Sequence, residues 1–177
     1  MIANHVIDIT VSLDECPRVD LTATLYDAFK VLTNQGQESG DPFRHALVLN
    51  HKGELAGIMG MRELLYGLFP IYLRGHEHHH FKGLSSEVAG LASLWNDTCD
   101  EECPAAAQRP VRDFMSPIQG TINSHDPISL AAYLMVTQQA NLLPVTEHGR
   151  VIGVCRLTDV FKVANEHVQN EHIHHDQ

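Results

Sequence analysis

Basic residues are scarce in this sequence: 12 Lys and Arg stand against 22 Asp and Glu, for a formal net charge of -10. Neutralising phosphate needs clustered cations, so this balance argues against a nucleic-acid surface and against an anionic membrane. Long apolar runs are scarce too. The longest, LLYGLFPIYL at 64–73, is too short to span a bilayer and contains Pro70. The opening MIANHVIDIT has no basic flank and no extended apolar core, so no signal peptide is expected there. Four cysteines, at 16, 99, 103 and 155, are too few and too scattered to staple a fold of 177 residues. A reducing cytoplasm is the expected compartment. No glycine-rich phosphate loop and no local nucleophile–base signature is present, which argues against an enzyme.

What is there is an ordinary globular composition, 44% hydrophobic and 19% charged, over a length that suits one domain or two small ones. The chain is written twice. Val6-Ile7-Asp8-Ile9 recurs as Val111-Arg112-Asp113-Phe114. Val19, Leu25 and Ala28 map on Ile122, Ile128 and Ala131 at an offset of 103. After seven extra residues in the first copy, Leu47, Gly53, Gly57 and Glu63 map on Leu143, Gly149, Gly153 and Asp159 at an offset of 96.

Each copy reads strand, helix, strand, turn, strand, helix. In the second copy a helix is expected to start at Asp126-Pro127, with Asp126 accepting free N–H groups and Pro127 suited to the first turn. Ile128, Ala131, Leu134 and Met135 then follow at helical spacing. LLPVT and VIGVC flank Glu147-His148-Gly149, a hairpin turn, as ALVLN and LAGIM flank His51-Lys52-Gly53. A repeat of this size buries little alone, so the copies are expected to pack on each other as one pseudo-two-fold unit. The expected bounds are 6–68 and 111–165, with a partly helical insertion at 70–110 and a polar tail at 166–177. Within the insertion, Leu84, Val88, Leu91 and Trp95 suggest one helix face, and the acidic NDTCDEECP closes it.

Asp113-Phe-Met-Ser-Pro, Asp126-Pro-Ile-Ser, Leu143-Pro-Val and Gly149-Arg-Val-Ile-Gly-Val followed by Asp159 resemble a cystathionine-β-synthase (CBS) domain. The first copy is similar to the same domain, more weakly. The resemblance implies an α/β fold of two β-α-β-β-α repeats and a regulatory role in place of catalysis. It also implies a cleft between the repeats that takes an adenosine ligand, AMP, ADP, ATP or S-adenosylmethionine, with no required cofactor. A homodimer and a regulated protein target, unknown here, are the implied partners. The dimer is expected to use the helix after the last strand of each copy together with LLYGLFPIYL.

The family places a hydroxyl after the last strand and an acid three positions later. A carboxylate accepts both hydroxyls of a ribose diol, while helix-start N–H groups meet phosphate. Here Asp159 keeps the acid, with Thr158 beside it, and Arg156 replaces the hydroxyl as a bidentate phosphate grip. Gly60 and Glu63 occupy the same positions in the first copy, a weaker half-site. His45, just before the second strand, has Asn141 as its counterpart; Thr121, Ile122 and Asn123 are implied to line the base pocket. The competing reading makes Asp159 and Glu63 simple answers to the helix dipole and Arg156 a surface charge.

Thirteen histidines include two tracts, and His76, His78 and His80 are a candidate divalent-metal set, with a solvated polar loop as the alternative. Cys99 and Cys103 stand at i, i+4 among Asp97, Asp100, Glu101 and Glu102, whose field opposes a reactive thiolate. Cys155 falls in an apolar strand and is expected in the core. Three classes therefore stand: adenosine-ligand sensor, metal-binding His/Cys protein and ligand-free dimeric interaction module.

Overall fold

The structure is a computed structural model that describes residues 3–35, 44–69, 90, 93 and 99–175. The strands are β1 (Val11–Ser12), β2 (Arg18–Asp20), β3 (His45–Leu49), β4 (Leu55–Gly60), β5 (Ser116–Pro117), β6 (Ile122–Asn123), β7 (Leu142–Glu147) and β8 (Arg150–Arg156). The helices are α1 (Leu25–Gln35), α2 (Met61–Leu68), α3 (Ile128–Thr137) and α4 (Leu157–His175), with residues 99–106 also helical. This is the expected mixed α/β class, and each copy carries the strand–helix–strand–strand–helix order.

Two compact units result. One consists of Pro17–Pro117; the other joins Met1–Cys16 to Ile118–Gln177. The repeat bounds read from the sequence and the packing bounds are therefore different things. The opening segment of each copy is built into the other copy's unit. In the first unit the sheet order is β2-β3-β4-β5, and in the second it is β1-β8-β7-β6. Thus β5 closes the first repeat's sheet on β4, and β1 closes the second repeat's sheet on β8, both antiparallel.

The exchange is reciprocal down to single hydrogen bonds. The Val6 N–H donates to the Asp126 carbonyl at 2.9 Å, and the Val111 N–H donates to Ala23 at 2.8 Å. The start of each first helix answers: Leu25 N–H bonds Arg109, and Ile128 N–H bonds Asn4. Buried backbone groups must find partners, so these bonds anchor the donated segments. The cores match position by position. Val111, Val19, Leu25, Ala28, Ala46, Val48, Met59 and Leu64 form one. Val6, Ile122, Ile128, Ala131, Leu143, Val145, Cys155 and Val160 occupy the equivalent places in the other.

Two glycines admit the donated strands. A Cβ on Gly153 would collide with the Val11 carbonyl and the Thr10 methyl; one on Gly57 would stand 2.6 Å from the Met115 sulfur and 2.8 Å from the Ser116 carbonyl. Only a residue without a side chain lets the neighbouring backbone come this close.

The alignment of the copies needs one correction. Ala46 and Val48 correspond to Leu143 and Val145, an offset of 97, because they fill the same core places. Leu47 therefore matches Pro144, not Leu143. The offset returns to 96 after the turn, since Gly57 pairs with Val48 as Gly153 pairs with Val145. The first hairpin is one residue longer. The second turns tightly on His148 and Gly149, at φ 49° and 76°, the pair of positive angles that a two-residue hairpin wants.

Two further expectations change. Helix α3 begins one residue later, with Pro127 at its cap and no side-chain cap bond, because the Asp126 carboxylate takes the Asn123 N–H at 2.9 Å instead. Helical structure also runs through Pro104, with the Ala107 N–H bonded to the Cys103 carbonyl at 2.9 Å. The predicted stripe holds: Ile128, Ala131 and Met135 are buried. Leu84, Val88, Leu91, Trp95 and Pro70 to Leu73 lie outside the described residues.

Candidate functional site: two strand-to-helix junctions

In both units the last central strand passes directly into a helix, β4 into α2 and β8 into α4. An acid stands in the first turn of each helix, Glu63 and Asp159. The helix start concentrates unpaired N–H groups, so a negative side chain is stabilising there.

At the second junction the partner is charged. Arg156 Nε donates to Asp159 Oδ2 at 2.5 Å and one terminal nitrogen donates to Oδ1 at 2.8 Å, a bidentate clasp. The pair is well covered, at 17% and 12% exposure. Lys162 adds a third charge, 3.5 Å from Oδ1. The expectation of Arg156 as a standing phosphate grip is thereby revised: its fork is engaged by the carboxylate that was expected to hold ribose. Thr158 is exposed. Cys155 is fully buried just before the clasp, as expected, and burial together with Asp159 pushes its thiol up to about 12, against Arg156.

At the first junction the partners are neutral. Glu63 Oε2 accepts the Gly60 N–H at 2.9 Å, and Oε1 accepts the Ser116 hydroxyl at 2.8 Å. Ser116 arrives on the donated strand β5. It belongs to the Asp113-to-Pro117 motif, although nothing in the spacing assigns it to Glu63. The His45 ring lies over Gly60, where a Cβ would meet it at 2.6 Å and Glu63 at 2.8 Å. Burial holds His45 below the ordinary imidazole value; Glu63 pulls it back up and Arg44 pushes it further down.

His45 faces Gly60 across the hairpin, and Leu142 faces Arg156. The counterpart of His45 is therefore Leu142, and the match with Asn141 is corrected by the same one-residue shift. A one-residue slip moves a side chain to the opposite face, so the distinction decides what touches the junction.

The remaining expected residues divide. Ile122 is 2% exposed and belongs to the core, so of the three expected base-pocket residues only Thr121 and Asn123 are exposed. The Asn123 side chain accepts the His125 N–H at 3.0 Å. His76, His78 and His80 lie outside the described residues, and among the described residues no three His, Cys, Asp or Glu come together for a metal. Cys99 and Cys103, read above as thiols, are joined by a disulfide. Among the described residues no helix is long and apolar enough to cross a membrane.

Comparison with known proteins places the fold. Residues 111–166 match the CBS domain family. Among curated proteins, none matches the sequence. A CBS domain-containing protein of unknown function from Bacillus anthracis is similar in structure, with TM-score 0.63 and 15% identity over 92% of this chain and 93% of that one. CBSX2, solved in complex with AMP, gives TM-score 0.61 and 18% identity over 93% of this chain and 98% of that one. The cytosolic domain of the Mg2+ channel MgtE, solved in complex with ATP, gives TM-score 0.57 and 16% identity over 90% of this chain and 48% of that one.

Proposed function

We propose that this chain, a tandem CBS-domain protein by its fold and its second repeat, is a non-catalytic regulatory module that binds an adenosine-containing ligand at its strand-to-helix junctions. The observation that carries the reading is the Arg156–Asp159 clasp at the start of α4. It holds a phosphate-binding fork and a diol-binding carboxylate on one helix start, each temporarily satisfying the other. A ligand offering both phosphate and ribose exchanges partners with the two groups at once. Adenosine alone engages only the carboxylate, and free phosphate engages only the guanidinium. Two similar folds were solved with AMP or ATP, which supports the class of ligand.

Calorimetry with AMP, ATP, adenosine and S-adenosylmethionine tests this. AMP or ATP binds wild type more tightly than adenosine does. Asp159→Ala loses two bonds to ribose, a net cost of about 2–4 kcal/mol after compensation by water, roughly thirty- to a thousandfold in affinity. Arg156→Ala weakens the phosphate-bearing ligands while sparing adenosine, because Asp159 keeps Lys162 3.5 Å from its carboxylate. Absence of binding by all four ligands refutes the proposal.

A second reading, a homodimeric interaction module, has its own support. Met61 and Leu65 on α2 are 48% and 52% exposed, and Leu157 and Phe161 at the equivalent places on α4 are 37% and 70% exposed. Apolar pairs repeated at i, i+4 suit a helix-to-helix contact between two copies. Light scattering distinguishes the two readings, which are compatible, from a monomer without ligand. In the expected run LLYGLFPIYL, Leu64 and Gly67 are turned into the unit, so only Leu65 and Tyr66 are strongly exposed among its described residues.

A further inference from the structure

We propose that Cys99 and Cys103 form a thiol–disulfide exchange centre that reacts with low-molecular-weight disulfides and thiols. The two residues are bonded across a separation of four, with their Cα atoms 5.2 Å apart. That spacing lies inside the range a disulfide accepts. Residues 99–106 are helical with the bond in place, and the Cys103 carbonyl keeps its bond from Ala107 at 2.9 Å. Side chains four apart on a helix lie one above the other, so reduction leaves the thiols adjacent and the backbone undisturbed. Both redox states fit one conformation.

The bond makes a poor staple. Cross-linking constrains the unfolded chain more as the closed loop lengthens, and a separation of four is close to the minimum. Its position suits chemistry better. Cys99 and Cys103 are both partly exposed, whereas Cys16 and Cys155 are 5% and 0% exposed. Cys155 is further protected, its thiol held at about 12 by burial first and Asp159 second. Oxidising conditions therefore act on one pair of sulfurs and leave the other two cysteines as thiols.

The step balances. One thiolate attacks an external disulfide, forming a mixed disulfide and expelling one thiolate. The second cysteine, deprotonated, attacks the protein sulfur of that bond and expels the other. The protein loses two protons and two electrons; the external disulfide gains them as two thiols, and excess thiol reverses the sequence. Asp100, Glu101 and Glu102 are exposed on the same turn. Acidic neighbours disfavour a thiolate, so exchange here is slow at neutral pH and quickens as pH rises. The same charges select the partner. A cationic disulfide is drawn to this turn and an anionic one repelled, with the difference shrinking as salt rises.

The full chain, reduced and freed of reductant, is exposed to cystamine or to glutathione disulfide, quenched with N-ethylmaleimide and mapped by mass spectrometry. The expected product lacks two hydrogens within the peptide holding Cys99 and Cys103, with Cys16 and Cys155 still thiols. Cystamine reacts severalfold faster than glutathione disulfide at low salt, and the ratio falls toward one at high salt. Cys99→Ser and Cys103→Ser each stop at a mixed disulfide on the remaining cysteine. The proposal is overturned if wild type yields only mixed disulfides at these positions, or if Cys16 or Cys155 oxidises as readily. Loss of the cystamine preference by Glu101→Gln/Glu102→Gln supports the charge selection, and its persistence removes that part.

Discussion

In the unit built on the first repeat, Glu63 folds back on the N–H of Gly60 and takes a hydroxyl from Ser116. In the other unit, Asp159 takes two arms of Arg156 and has Lys162 beside it. The two junctions share a strand, a helix and an acid in its first turn, yet one is neutral and the other ionic. The reason lies across the hairpin. His45 covers the space above Gly60, so a long side chain at position 60 has nowhere to go, while Leu142 leaves room for a guanidinium at 156. Duplication preserved the frame, and substitution at the facing pair changed what each frame can hold.

The cores invite a parallel test, because each includes a residue from the segment donated by the other copy, Val6 or Val111. The largest effect is expected at the glycines that admit the donated strands. Gly153→Val drives a side chain into the Val11 backbone, which cannot swing aside, and costs about 3 kcal/mol or more. Gly57→Val meets the flexible Met115 thioether at 2.6 Å and backbone only at the Ser116 carbonyl, 2.8 Å away, so it costs less, about 1–3 kcal/mol. Denaturant titration measures both, and equal losses contradict the asymmetry.

Val6→Ala and Val111→Ala each empty a fully buried site at a cost of about 2 kcal/mol. Their location is the sharper readout. Hydrogen exchange is expected to rise in β7 and β8 for Val6→Ala, and in β3 and β4 for Val111→Ala. Protection lost instead in the copy that carries the mutation rules out the exchange of segments.

The smallest effect is a pH dependence. Burial lowers the folded value of His45 below its ordinary 6.5, so the unfolded chain takes up the proton first as pH falls. Stability from this residue is complete above 6.5 and is lost progressively as pH drops from there toward the folded value. His45→Leu, which copies Leu142, removes that contribution; the difference between variant and wild type in unfolding midpoint across this window measures it. A midpoint difference that does not vary with pH contradicts the role.

Much of this was legible beforehand. Helical spacing marked Ile128, Ala131, Leu134 and Met135; the turn residues marked both hairpins; the repeat marked Glu63 and Asp159 as equivalent. The register of Leu47 is not legible because β3 and β7 are buried over consecutive residues, without the alternation that fixes a register. Ser116 escaped because its partner lies 53 residues away. Arg156 stands out in the sequence as the replacement for a hydroxyl, but its reach back to Asp159 depends on the conformation at the strand end.

By itself, then, the sequence determined the duplication, the α/β class and the acid at each helix start, since all three follow from local periodicity and side-chain chemistry. Tertiary structure decided which sheet each opening segment joins. The strands concerned, Val11–Ser12 and Ser116–Pro117, are two residues long and carry no pattern to choose a partner. What chooses is a gap beside Gly153 or Gly57, a pocket for Val6 or Val111, and carbonyls waiting at Asp126 or Ala23. Those features exist only once the rest of each sheet has formed.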